Sequence, residues 1–173
     1  MMKFSQNQRL VFMALLAAQA VILSLLEQSI PSPFMIAPGA KIGLANIITC
    51  IALFKLPVKD TITIILIRLL LAGFLGGTLS TLLFSTAGAT LSFLGMYAVY
   101  KLGGKQVSLI GISVTGATLH NLGQLLIASY IARTWNVLLL LPILTFFGIL
   151  SGIATGVAAN YLLKSLNKIP IWK

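Results

Sequence analysis

Only two carboxylate side chains, Glu27 and Asp60, occur in the 173 residues, and they sit among twelve basic residues in a chain built of long apolar stretches. With 58% hydrophobic residues, 8% charged residues and a mean hydropathy of +1.05, the apolar surface cannot all be hidden in one small water-solvated core. Lipid must solvate part of it. The same shortage of carboxylates argues against chemistry that needs aspartate clusters holding magnesium, or two carboxylates trading a proton. Transport or membrane scaffolding fits this chain better than catalysis, and the reading is of a non-enzyme.

A helix needs roughly 20 apolar residues to cross a hydrocarbon layer about 30 Å thick. Six helical segments are expected, at about 8–30, 42–55, 60–76, 82–101, 108–132 and 137–163. The second is short, as for an interrupted or shielded helix. The run from Thr61 to Tyr100 is too long for one crossing, and Gly76, Gly77, Thr78 and Ser80 supply its turn. The fold class is therefore an all-α integral membrane protein, one domain over residues 1–173, with six transmembrane helices and both termini cytoplasmic.

Basic residues support that path, because cytoplasmic loops carry an excess of Lys and Arg. Lys3, Arg9, Lys55, Lys59, Lys101, Lys105, Lys164, Lys168 and Lys173 fall on the inner side; Lys41 and Arg133 fall on the outer side. Arg68 is left within a span. The net charge of +10 then reflects topology and attraction to anionic lipid, and no nucleic acid is called for. The expected location is the bacterial cytoplasmic (plasma) membrane, multi-pass. The first apolar segment ends in Glu27-Gln28-Ser29 instead of a small-residue cleavage site, so it is expected to be retained. The single cysteine, Cys50, reads as a small apolar residue of the second helix.

Residues that break the apolar pattern carry the functional reading. Three prolines and two glycines interrupt residues 29–43, where Ile30, Phe34, Met35 and Ile36 suit an outer flap over the bundle, from Pro31 to Lys41. Arg68 lies mid-helix, where an unpaired cation costs about 2.5–3.5 kcal/mol on insertion scales; with Asp60 two turns away, a bound anion, backbone carbonyls or Glu27 reached across the bundle is expected to satisfy it. His120, Asn121 and Gln124 fall near the middle of the fifth helix, where such groups either tie helices together or hold a ligand. A lone His with no neighbouring Cys, Asp or Glu is a poor metal site, and no metal or cofactor is expected. Gly148, Gly152 and Gly156 form a smooth stripe best suited to internal packing; Ala14 and Ala18 form another that can serve a partner protein.

Taken together, the short helices, the flap and the Ala14/Ala18 pair resemble the substrate-binding S components of energy-coupling factor (ECF) transporters. Pro38-Gly-Ala-Lys-Ile-Gly-Leu-Ala-Asn46 and Gly116-Ala-Thr-Leu-His-Asn-Leu-Gly-Gln124 resemble the signature stretches of the Gx transporter family, often labelled heptaprenyl diphosphate synthase component I. That resemblance implies uptake of a small anionic or amphipathic molecule that is vitamin-, flavin-, quinone- or isoprenoid-like. Its expected ligands are Lys41, Asn46, Arg68, His120, Asn121 and Gln124. It implies docking of Ala14 and Ala18 on a T-component-like membrane protein with separate ATPases, since no Walker motif is present. A redox membrane partner for flavin- or quinone-linked electron transfer, and a non-catalytic role beside a prenyl diphosphate synthase, are the alternatives. Prenyl chain elongation by this chain alone conflicts with its single aspartate.

Overall fold

The computed structural model describes residues 5–29, 43–103, 107–166 and 168. Lys41 and the expected flap lie outside the described residues. The described chain is helical: α1 (Gln6–Ser29), α2 (Asn46–Lys55), α3 (Val58–Gly76), α4 (Leu79–Leu102), α5 (Leu109–Ala132) and α6 (Leu141–Leu166), with a 3-10 turn, Trp135–Leu140, leading into α6. By length and composition, α1, α4 and the continuous Trp135–Leu166 segment are long and apolar enough to cross a membrane. Exposed Leu, Ile and Phe residues, such as Leu15 and Ile22 on α1, Leu66, Leu70 and Phe74 on α3, and Phe146 and Ile153 on α6, form the outer surface. This is a helical membrane protein.

Its core is organised around the shortest helix. Ile48, Cys50, Ile51, Ala52, Leu53 and Leu56 are buried and pack with Phe12, Leu16, Ala17 and Ala20 of α1, Ile64 of α3, Met96 of α4, Ile112 of α5 and Ala159 and Leu163 of α6. Ten residues at 1.5 Å each reach only about 15 Å, half a bilayer. A helix surrounded by protein need not match the lipid thickness, which explains how so short an element is stable. It starts at Asn46, four residues later than the sequence pattern indicates, because Gly43 adopts φ +88° and breaks the helical path.

Glycines set the spacing of the other helices. On α5, Gly123 faces the backbone of Ala87 and Gly88 on α4, and Gly116 faces Met96; on α6, Gly148, Gly152 and Gly156 face Thr118, Val114 and Ile110 of α5. The order of these contacts makes both pairs antiparallel. The α6 stripe therefore serves internal packing, reinforced by a 2.7 Å hydrogen bond between the Ser113 and Thr155 hydroxyls. At the α3–α4 turn, Thr78 caps α4: its hydroxyl accepts from the Thr81 N–H, and the Thr81 hydroxyl accepts from the Thr78 N–H.

At one end of the bundle, Arg9 of α1 clamps Asp60 of α3 through two nitrogen–oxygen contacts of 2.5 Å. Asp60 is thus committed to Arg9, not to Arg68 two turns along its own helix. Lys55, Lys59, Lys101 and Lys164 lie at the same end, given the antiparallel succession, while Arg133 lies at the opposite end.

Candidate functional site

Mid-bundle, the interrupted path between α1 and α2 creates the site. Two backbone N–H groups ahead of α2, those of Gly43 and Leu44, donate to one carboxylate oxygen of the buried Glu27, the second at 3.1 Å. A carboxylate is well matched to this position, since unpaired amide hydrogens and the helix dipole make a helix start electropositive. Gly43 is required here on two counts: its positive φ disfavours other residues, and a Cβ would lie 2.8 Å from the Asn46 side-chain nitrogen and 3.4 Å from the His120 ring.

Arg68 is 4% exposed, and Glu27 is the acid whose field reaches it. Even so, the Arg68 Nε has no hydrogen-bond partner among the described residues, and neither does the Asn46 Nδ2. Both are donors, and each could serve an oxygen acceptor brought into the site. His120 is seated by glycine on a second side: a Cβ on Gly88 would fall 2.7–3.0 Å from its ring atoms. Glu27, Arg68, His120 and Gly43 line a cavity of about 20 Å³, together with Ser24 and Gln28 of α1 and Thr81 and Ser85 of α4. That volume suits one water-sized group.

The expected ligands divide. Arg68 and His120 meet at the cavity, and Asn46 lies beside Gly43 at its edge. Gln124 is buried on the His120 face, one turn on. Asn121 is turned away: its amide donates to the Leu144 carbonyl at 2.8 Å and ties α5 to α6, so it is outside the cavity lining. Ala14 and Ala18 are exposed on the apolar face of α1 that also displays Val11, Leu15 and Ile22. Sequence reasoning treated Glu27 only as a possible partner for Arg68 and did not foresee its hold on the start of α2. The signal was the pairing of a lone carboxylate at the end of one helix with a glycine just before the next.

A model of the family described as heptaprenyl diphosphate synthase component I matches residues 16–162, most of the chain. The chain belongs to that family. Both signature stretches fall inside the matched region. The first stretch contributes Gly43 to the cavity lining, with Asn46 beside it, and the second contributes His120, with Gln124 buried one turn on and Gly116 and Gly123 letting α5 approach α4. No curated protein and no solved structure matches the chain. Chemically, the arrangement offers cationic and amide donors in a low-dielectric interior, where hydrogen bonds to an oxygen acceptor are strongest.

Proposed function

We propose that this protein is the substrate-binding subunit of an uptake system in the bacterial plasma membrane, with six spans and both termini cytoplasmic. It binds a small anionic or oxygen-rich amphipathic molecule and works with separate energising partners. The observation that carries this reading is Arg68, buried mid-bundle at the wall of a cavity, with a donor that has no acceptor among the described residues. An arginine kept in such a place at a cost of several kcal/mol is the mark of a functional site. Arg68 and Asn46 would donate to the ligand, His120 and Gln124 would orient it, and Lys41 would add charge at the mouth. Asn121 would hold α5 in place from behind. A cavity of about 20 Å³ holds only a water-sized group, so loading a vitamin-sized molecule would need it to widen, as by Glu27 and the start of α2 moving apart. Ala14 and Ala18 would let a T-component-like membrane protein lie close against α1.

A second reading is favoured by the family description itself: a membrane partner of a prenyl diphosphate synthase. Native mass spectrometry of gently extracted protein separates the two. A stoichiometric small molecule together with a membrane partner and ATPases is the expected result. A prenyl synthase subunit bound instead, with product formed only when both chains are present, would overturn uptake in favour of the second reading.

A further inference from the structure

Another cavity is at the far end of the bundle from Arg9 and the lysines, where α5 turns into α6. Ser129, Tyr130, Ile131, Arg133, Thr134 and Trp135 enclose an open cleft of about 480 Å³ there, within the range of small-molecule sites. We propose that this cleft binds the phosphate of an anionic phospholipid headgroup in the leaflet at that end of the protein.

Three features converge on that occupant. Arg133 ends α5 in a left-handed conformation, φ 52° and ψ 33°, with its backbone N–H tied to the Ser129 and Tyr130 carbonyls. Glycine or asparagine is the economical residue at such a helix end, so an arginine there needs a reason in its side chain. Ser129 is among the residues lining the cleft and is 3% exposed, and its buried hydroxyl has no hydrogen-bond partner among the described residues. The hydroxyl and the guanidinium of two residues that line one cleft are donors suited to the several acceptor oxygens of a phosphate. Finally, Tyr130 and Trp135 are largely exposed beside Ile131, an amphipathic rim of the kind that membrane–water interfaces favour. A water-soluble phosphate would gain nothing from that rim, whereas a lipid's glycerol and upper acyl chain would lie against it.

Trp135 supplies the probe, since Trp172 is the only other tryptophan and can be changed to Phe. The full-length protein in phosphatidylcholine nanodiscs would receive a minor share of phosphatidylglycerol brominated on the upper acyl chain, or the same share of equally brominated phosphatidylcholine. Stronger quenching of Trp135 by phosphatidylglycerol is expected. Arg133→Asn, chosen because Asn tolerates the left-handed backbone, should bring it down to the phosphatidylcholine level; Arg133→Lys should retain part of the difference. Ser129→Ala, which leaves the net charge alone, should reduce the difference. Equal quenching by the two lipids, or a preference indifferent to Arg133→Asn, overturns the proposal. A preference that ignores Ser129→Ala reduces to surface charge and overturns the cleft. If inorganic phosphate shifts Trp135 emission in plain phosphatidylcholine discs and abolishes the lipid preference, the occupant is free phosphate and the lipid assignment fails.

Discussion

Replacing Gly123 by Ala should destabilise the protein although it improves helix propensity. In a helix interior, Gly→Ala gains up to about 1 kcal/mol. At Gly123, however, the new methyl would lie 2.6 Å from the Ala87 oxygen, 2.8 Å from its carbonyl carbon and 2.9 Å from the Gly88 Cα. These are backbone atoms with no rotamer to change, so α5 must retreat from α4 by about 0.8 Å to restore a 3.4 Å contact (3.4 − 2.6). A gap of that size forfeits roughly a quarter to a half of the dispersion attraction of each contact along the seam. Overpacking costs about 1–3 kcal/mol, and the upper half of that range applies where only backbone can give, so after the propensity gain a net loss of about 1–2 kcal/mol remains. That is roughly a five- to thirtyfold shift in the folding equilibrium. Two companions supply the scale. At Gly116 the methyl meets the far end of the flexible Met96, so Gly116→Ala should cost less; at Gly111 the nearest atoms are 3.5 and 3.7 Å away, so Gly111→Ala should be neutral or stabilising. Thermal inactivation in one detergent at one scan rate gives the order, since irreversible unfolding makes the midpoint rate-dependent. A Gly123→Ala protein as stable as Gly111→Ala would refute the close approach of α4 and α5 that seats His120 against Gly88.

Asp60→Asn should lower the thermal midpoint modestly, because its bidentate pair with Arg9 is screened by solvent, and high salt should blunt the difference; an unchanged midpoint at low salt would contradict the clamp. Ser113→Ala and Thr155→Val should each destabilise, with a double-mutant coupling of about 0.6 kcal/mol, typical of hydrogen bonds inside membranes; additive effects would show that the 2.7 Å contact is not energetically realised. Leu at both Ala14 and Ala18 should leave the thermal midpoint unchanged, since both are exposed, and abolish co-purification of a T-component-like partner; retained co-purification would remove α1 from the interface.

Helix count and most boundaries were legible in the sequence because apolar length, glycine punctuation and the segregation of basic residues are local signals. Two departures have physical reasons. Helix α2 starts late because of a positive φ at Gly43, which glycine permits but does not announce, and α6 gains a 3-10 lead-in because Thr134 caps the Asn136 N–H. Within the site, residue type was informative and direction less so. His120 and Gln124 share a face, but Asn121, one residue on, is rotated about 100° and meets α6. That much was available from helical periodicity alone. The Arg9–Asp60 clamp links residues 51 positions apart and no local pattern encodes it; the hold of Glu27 on Gly43 and Leu44, 16 and 17 positions away, was marked only by a lone carboxylate ending one helix and a glycine preceding the next.

The most direct test of the central claim compares wild-type protein with Arg68→Gln and His120→Ala by native mass spectrometry after gentle extraction, with circular dichroism and thermal midpoints run alongside. The account predicts a stoichiometric small-molecule adduct on the wild type that falls sharply in both variants while helicity persists. An adduct retained at full occupancy in both folded variants would show that the cavity beside Arg68 is not where this protein holds its ligand.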